Sequence, residues 1–103
     1  MNKQDRTVII TGGASGIGKS LAFRFGSQGA NIVVGDIEHV ALNNTVSELV
    51  SEGISAIGIP VDVSDIDSVR SFRDEVISEF TPPYIVCLNA GVGAGGSIID
   101  SDI

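Results

Sequence analysis

Hydrophobic and polar residues alternate along the chain in blocks that predict strands and helices in strict succession. Short apolar runs rich in β-branched residues are typical of strands buried on both faces. They occur at residues 7–11, at 32–34 with Gly35 and Asp36 at the end, at 55–61 and at 84–88. Between them, apolar residues recur at helical spacing over about 18–28, 39–51 and 64–80. The predicted order is therefore β-α-β-α-β-α-β.

Each predicted helix carries a stripe of apolar residues that we expect to face the sheet. In the first helix, Ile17, Leu21 and Phe25 recur every four residues. The stripes of the other two helices are Leu42, Val46 and Leu49, and Ile66, Val69, Val76, Ile77 and Phe80. Ser64, with Asp67 three residues later, resembles a capping box with Asp in the Glu position, so the third helix is predicted to begin there.

This order predicts an α/β fold, a Rossmann-type doubly wound parallel sheet, in one domain over residues 1–103. Right-handed crossovers, with the fourth strand returning beside the first, give the strand order 3-2-1-4. The first two helices then cover one face of the sheet and the third covers the other. Ligands of such sheets bind at the carboxyl ends of the strands, where the strand order reverses. The residues that follow each strand are therefore the candidates for a site.

Charge and composition narrow the class of partner. The chain has 13 acidic and 6 basic side chains, a net charge of −7. Nucleic acid and anionic membrane surfaces, both polyanions, are therefore poor partners. No apolar run reaches the length of a membrane span and no leader opens the sequence, so we expect a soluble, cytoplasmic protein. The lone Cys87 is interpreted as a buried structural thiol and the lone His39 as a surface residue, with no metal site.

The turn after the first strand carries glycines at the spacing of a phosphate site. Gly12 lets the chain leave the strand sharply, Gly16 leaves backbone amides uncovered, and Gly18 lets the following helix approach the sheet. Unpaired N–H groups and the positive end of the helix dipole would converge there on a diphosphate. Because the turn lies between a predicted strand and a predicted helix, it has the context of a dinucleotide fingerprint.

The same segment also matches the phosphate loop of ATP- and GTP-binding proteins. Residues 13–20 fit the pattern G-x-x-x-x-G-K-[ST], in which Lys19 would reach the terminal phosphates and the Ser20 hydroxyl would bind magnesium. The alternative for Lys19 is an exposed side chain in the first helical turn. The turn by itself leaves both classes of nucleotide open.

Asp36, at the end of the second strand, favours a dinucleotide. It lies about 20 residues beyond the glycines, where a carboxylate accepts both hydroxyls of an adenosine ribose and repels a 2′-phosphate. Ile37, Glu38 and His39 follow it, and Ser15 in the glycine turn is uncharged, so none of them supplies a cation for that phosphate. We therefore predict NAD in preference to NADP. The structural alternative for Asp36 is the N-cap of the next helix.

Four motifs together resemble the short-chain dehydrogenase/reductase family along the whole chain. The sequence T-G-x-x-x-G-x-G at 11–18 resembles the family's glycine signature, and Asp36 its ribose acid. Asp62-Val63 is similar to its adenine contact, and N-A-G at 89–91 to the motif that steadies the sheet beside the cofactor ribose. The cofactor-binding residues that the resemblance implies are Gly12, Ser15, Gly16, Ile17, Gly18, Asp36, Ile37, Asp62, Val63, Asn89, Ala90 and Gly91.

The resemblance also implies an activity, and it implies catalytic residues that we do not find in this sequence. Enzymes of this family transfer a hydride between a nicotinamide cofactor and an alcohol or carbonyl substrate, using a serine, a tyrosine and a lysine four residues after the tyrosine. Here the only tyrosine is Tyr84, interpreted as a packing residue, and position 88 is leucine. Ser97 comes too early to be the family's serine. We therefore expect a truncated chain with no catalytic residues of its own, the NAD-binding half of an enzyme.

Truncation would leave an open sheet edge and, through it, favour association. The fourth strand would present an open apolar edge, which favours association, so a homo-oligomer is expected. The alternatives to an enzyme half are a non-catalytic NAD-binding module and a phosphate-loop nucleoside triphosphate binder.

Overall fold

Four strands and three helices follow one another in the predicted order. The computed structural model describes residues 6–14, 16–80, 82 and 84–88. Its elements are β1 (Thr7–Thr11), α1 (Gly16–Ser27), β2 (Asn31–Asp36), α2 (His39–Ser51), β3 (Ala56–Pro60), α3 (Ile66–Glu79) and β4 (Tyr84–Leu88). None of the helices within these ranges is long and apolar enough to cross a membrane.

The four strands form one parallel sheet in the order β3-β2-β1-β4, which confirms the prediction. Thr11 at the end of β1 pairs with Gly35 in β2 and with Leu88 in β4. Asp36 at the end of β2 pairs with Pro60 at the end of β3. The carboxyl ends of all four strands therefore meet at one edge of the sheet, in near alignment.

Two apolar cores, one on each face of the sheet, hold the helices as predicted. Strand residues such as Ile10 and Ile32 pack with Leu42 and Leu49 of α2 and with α1 on one face. On the other face, Val33 and its neighbours pack with Phe72 and Val76 of α3. Each fully buried aliphatic or aromatic side chain contributes about 1.5–3 kcal/mol, so both cores are substantial. The predicted burial of Tyr84 and Cys87 is confirmed, with 3% and 2% of their surface exposed.

Helix α1 turns a different face to the sheet from the one predicted. Its buried residues are Gly18, Ala22 and Gly26, whereas Ile17 is 60% exposed. The reason is steric, because a Cβ on Gly26 would lie 2.6 Å from Ile54 Cγ2. The helix lies too close to its neighbours for large side chains on that face. Leu21 and Phe25, also in the predicted stripe, are only partly buried beside the core.

Helix α3 differs from prediction at its start. Its N-cap is Asp65, whose carboxylate accepts a hydrogen bond of 3.0 Å from the Asp67 amide, so the capping box at Ser64 was wrong. The Ser64 hydroxyl instead donates to Asp62 Oδ1 at 2.6 Å. The residue that accepts from the first turn of α3 is therefore Asp65, one position further along the chain than predicted.

The apolar stripe of α3 is also only partly as predicted. Val76 is buried as expected, and Phe72, which the stripe left out, is buried beside it. Ile66 and Ile77 are 63% and 50% exposed. These two side chains therefore do not belong to the core that α3 forms with the sheet.

Candidate dinucleotide site

Three of the predicted motifs follow the carboxyl ends of neighbouring strands. Gly12 follows β1, Asp36 ends β2, and Asp62 comes two residues after β3. The alignment of the strand ends brings these positions to one edge of the sheet. Ser15 and the residues 89–91, also predicted to contact the cofactor, lie outside the described residues. The predicted placement at the edge is thus confirmed for the first three motifs.

The glycine turn has the backbone geometry that its sequence predicts. Gly12 has φ 65° and Gly16 has φ 57°, in the left-handed region that favours glycine. A Cβ on Gly18 would lie 2.3 Å from the carbonyl oxygen of Gly12. The first turn of α1 therefore rests directly on the backbone of the glycine turn, which a larger residue at position 18 would push away.

The mouth of the turn is open to a ligand. Gly16, where α1 begins, is exposed, and a Cβ on it would have within 4 Å no atom from other parts of the fold, its chain neighbours and the helix backbone aside. The first amides of α1 and the positive end of its dipole lie at this point. The packing of the fold therefore leaves room for an anion to approach the backbone at Gly16.

Asp36 links the glycine turn to the end of β2. Its Oδ2 accepts a hydrogen bond of 3.1 Å from the Ala14 amide, and its Oδ1 accepts one of 3.1 Å from the Glu38 amide. The N-cap of α2 is Glu38, so the alternative role of Asp36 as that N-cap is wrong. A carboxylate has about four acceptor positions, and these two amides use only part of that capacity. The group is therefore fixed in place and still able to accept hydroxyls.

Two residues at this turn were missed by the sequence interpretation. Gly13 is buried and its amide donates to the Gly35 carbonyl at 3.2 Å, while a Cβ on it would lie 2.7 Å from Val34 Cγ1. Thr45 of α2, 1% exposed, donates from Oγ1 to the Ala14 carbonyl at 3.2 Å. The only sequence signal for Thr45 was a polar residue between Leu42 and Leu49 on the buried side of a helix.

The turn after β3 is held by its own neighbours. Asp62 Oδ1 accepts hydrogen bonds from the Ser64 hydroxyl and from the Ser64 amide, the latter at 3.0 Å. These two bonds, the hydroxyl's first, hold the pKa of the Asp62 carboxyl below its ordinary value, against a weaker opposing effect of desolvation. The Asp62 amide donates to Ser68 Oγ at 2.9 Å. Val63 beside it is 49% exposed, as an apolar surface for a ligand must be.

Lys19 and Tyr84 have partners outside the candidate site. Lys19 Nζ lies 2.7 Å from Glu48 Oε2 in α2, and both side chains are partly exposed. The Tyr84 hydroxyl donates to the Phe80 carbonyl at the end of α3. His39, in the first turn of α2, is exposed, as predicted for a surface residue.

Comparison with known proteins places this geometry in a family. The family model described as short chain dehydrogenase matches residues 6–102. A probable oxidoreductase, EphD, from Mycobacterium tuberculosis is 38% identical over 97 residues, 94% of this chain and 16% of its own length. The 1-deoxy-11-beta-hydroxypentalenate dehydrogenase of Streptomyces arenae is 37% identical over 92 residues, 89% of this chain and 33% of its own. This chain thus spans a third or less of these relatives.

Solved structures show the same fold. The hydroxysteroid dehydrogenase of Escherichia coli matches 90% of this chain and 40% of its own, with a TM-score of 0.82 and 32% identity. A short chain dehydrogenase/reductase from Burkholderia phymatum, solved in complex with NAD, matches 84% of this chain and 31% of its own, with a TM-score of 0.77 and 29% identity.

Proposed function

Because this chain belongs to the short-chain dehydrogenase/reductase family, we propose that it is the NAD-binding portion of an oxidoreductase. The whole enzyme would transfer a hydride between NAD(H) and an alcohol or carbonyl substrate. The nicotinamide, when bound, supplies or accepts that hydride. The residues of this chain bind and orient the cofactor and keep its adenosine half at the sheet edge.

The observation that carries the proposal is the position of the Asp36 carboxylate. It lies at the end of β2, hydrogen-bonded to Ala14 in the glycine turn, with acceptor capacity to spare. A ribose placed beside it would have its attached diphosphate over Gly16, where the backbone is exposed. The ribose acid and the glycine turn therefore adjoin each other at one edge of the sheet, which supports a dinucleotide there.

The remaining residues complete the proposed contacts. Gly12, Gly16, Gly18 and the flanking Ser15 and Ile17 would surround the diphosphate. Asp62 would accept a hydrogen bond from the exocyclic amine of adenine, and the Val63 amide would meet a ring nitrogen. Ile37, which is 56% exposed, would lie against the adenosine. Asn89, Ala90 and Gly91 would meet the cofactor ribose at the end of β4.

NAD is proposed in preference to NADP because of charge. A 2′-phosphate on the ribose would be brought against the Asp36 carboxylate, and like charges in close contact repel strongly. The next two residues, Ile37 and Glu38, offer no positive charge to offset that repulsion. The preference therefore depends mainly on one side chain.

Hydride transfer is proposed for the whole enzyme and not for this chain alone. Tyr84 is buried, its hydroxyl is engaged by Phe80, and it opens β4 at the end opposite the site. Position 88 is leucine where the family's pattern would place lysine after this tyrosine. Tyr84 therefore serves packing, and the groups that exchange a proton with substrate are proposed to lie in the remainder of the enzyme.

The test is a set of binding titrations on the chain and on the variant Asp36→Asn. The wild-type chain should bind NADH more tightly than NADPH, measured by the nicotinamide fluorescence. Asp36→Asn should bind NADH about tenfold more weakly, the factor that corresponds to about 1.4 kcal/mol, because it loses a charged acceptor. Its preference for NADH over NADPH should shrink at the same time.

The controls separate the rival nucleotide classes. Mg-ATP titrated in parallel should bind more weakly than NADH, since Lys19 pairs with Glu48. Binding of Mg-ATP in preference to NADH, or no binding of either dinucleotide by a folded chain, would refute the proposal. Tighter binding of NADPH than of NADH would refute only the choice of cofactor.

A further inference from the structure

Among the described residues, the most buried polar side chain near the glycine turn belongs to a helix and not to the turn. Thr45 lies in the middle of α2 and is 1% exposed. Its Oγ1 donates to the carbonyl oxygen of Ala14, a residue 31 positions earlier in the chain, at 3.2 Å. Burying a hydroxyl costs free energy unless it finds a partner, and this partner lies in the candidate site.

Ala14 is held at both of its polar backbone atoms. Its carbonyl accepts from Thr45, and its amide donates to Asp36 Oδ2 at 3.1 Å. Its side chain is buried, with 6% exposed, in the same core as α2. A continuous series of contacts therefore runs from α2 through Ala14 to the carboxylate at the end of β2.

The glycine turn needs contacts from other elements because its own glycines are flexible. Gly12 and Gly16, on either side of Ala14, both have positive φ and come from the residue type with the widest conformational freedom. A turn of this kind loses much entropy when a ligand orders it. Contacts that order it before the ligand arrives reduce that loss, and so increase affinity.

We propose that Thr45 is a positioning residue for the dinucleotide site, an inference that rests on the proposed function. Its hydroxyl fixes Ala14, and Ala14 in turn keeps its amide on the Asp36 carboxylate, so that the diphosphate turn and the ribose acid keep one relative position. Thr45 itself touches no part of the cofactor. Its effect on binding is transmitted through the backbone of one residue.

The test compares three variants of the chain. Thr45→Val keeps the shape of the side chain, removes the hydroxyl and leaves the buried Ala14 carbonyl without its donor. It should weaken NADH binding about tenfold. Thr45→Ser restores a hydroxyl and should bind NADH within about twofold of wild type. Val76→Ala, on the opposite face of the sheet, lowers stability without touching the turn, and should leave the affinity within about twofold.

A second measurement reads the backbone directly and needs no ligand. The Ala14 amide signal in ¹H–¹⁵N spectra should move, and its hydrogen exchange should accelerate, in Thr45→Val but not in Thr45→Ser or Val76→Ala. If Thr45→Val does not fold, Thr45→Ala provides the second hydroxyl-free variant for both measurements.

The outcomes separate this role from the proposed function. No NADH binding by the wild-type chain would overturn the proposed function, and this role with it. NADH binding by wild type with an unchanged affinity in Thr45→Val would overturn the role of Thr45 alone. An equal loss in Val76→Ala, or no recovery in Thr45→Ser, would also overturn it, because the effect would then follow stability.

Discussion

The turns after β1 and after β3 both face the candidate site, but they are held in different ways. The turn after β1 is fixed by groups far away in the sequence, since Ala14 bonds to Asp36 and to Thr45. In the turn after β3, Asp62 bonds to Ser64 and Ser68, which lie two and six residues further on. The side-chain hydrogen bonds of the first turn therefore come from distant elements, whereas those of the second come from near neighbours in the sequence, beside one backbone bond from the Val61 amide to the Asp36 carbonyl.

This difference has a functional meaning. A diphosphate needs several backbone amides in one arrangement, so the glycine turn gains from being held by two other elements. The adenine contact that we propose for Asp62 needs one carboxylate in one orientation, and a neighbouring serine suffices for that. Substitutions in the first turn should therefore affect stability and binding together, whereas those in the second should act locally.

The largest effect is expected from Gly18→Ala. The added Cβ would lie 2.3 Å from the Gly12 carbonyl oxygen, which is backbone and cannot rotate away. Overpacking of this kind costs about 1–3 kcal/mol of unfolding free energy, and the displaced turn should bind NADH at least about tenfold more weakly. Urea denaturation and fluorescence titration measure the two losses.

Val76→Ala is the control for that substitution. It removes buried volume on the opposite face of the sheet, so stability should fall while NADH affinity stays the same. If Gly18→Ala lost stability but kept its affinity, the turn after β1 would not depend on the packing of α1 as we infer.

A smaller and purely local effect is expected from Ser64→Ala. The Ser64 hydroxyl is the main cause of the low Asp62 pKa, so its removal should raise the pKa of Asp62 toward its ordinary value. Because the folded pKa is lowered, the stabilisation is present above the unfolded value of about 3.9 and is lost as pH falls through the folded pKa. The variants should therefore differ at neutral pH and converge in strong acid.

Carboxyl ¹³C shifts of Asp62, followed through the pH titration, measure this change. Ser78→Ala serves as the control, because the Ser78 hydroxyl bonds to the Glu75 carbonyl further along α3. An Asp62 titration that Ser64→Ala left unmoved would show that the second turn is not ordered by its own serine.

The smallest effect is expected from Glu48→Gln, which removes the ion pair between α2 and Lys19. Both side chains are partly exposed, so the loss of unfolding free energy should be about 0–1 kcal/mol and should shrink in high salt. Glu75→Gln on α3 is the control, because it changes the net charge by the same amount as Glu48→Gln. A change in NADH affinity beyond about twofold would contradict the conclusion that Lys19 stands apart from the site.

Much of the fold could be predicted because its signals are local. The four apolar runs locate the strands, and right-handed crossovers with the fourth strand returning beside the first then give the order β3-β2-β1-β4. The buried face of α1 could not be predicted, because Gly18, Ala22 and Gly26 carry almost no hydrophobic signal. They are buried because the helix lies close to the sheet, and that distance is a property of the assembled fold.

The residues of the candidate site also differ in whether the sequence alone could place them. Gly12, Asp36 and Asp62 could be placed from sequence, because each follows a strand and the strand order fixes which edge they share. Thr45 could not, since its partner is 31 positions away and nothing in α2 itself requires that contact. The cap at Asp65 was missed for a different reason, because Ser64 and Asp65 compete for the same local donors and only geometry decides between them.

The close approach of α1 also determines how much each of its positions can vary. On the inner side, a Cβ on Gly18 would lie 2.3 Å from backbone and one on Gly26 would lie 2.6 Å from Ile54, while Ala22 between them is fully buried. On the outer side, Arg24 is exposed and meets no such limit. One helix thus combines an inner face that admits only small side chains with an outer face where size is not restricted by packing.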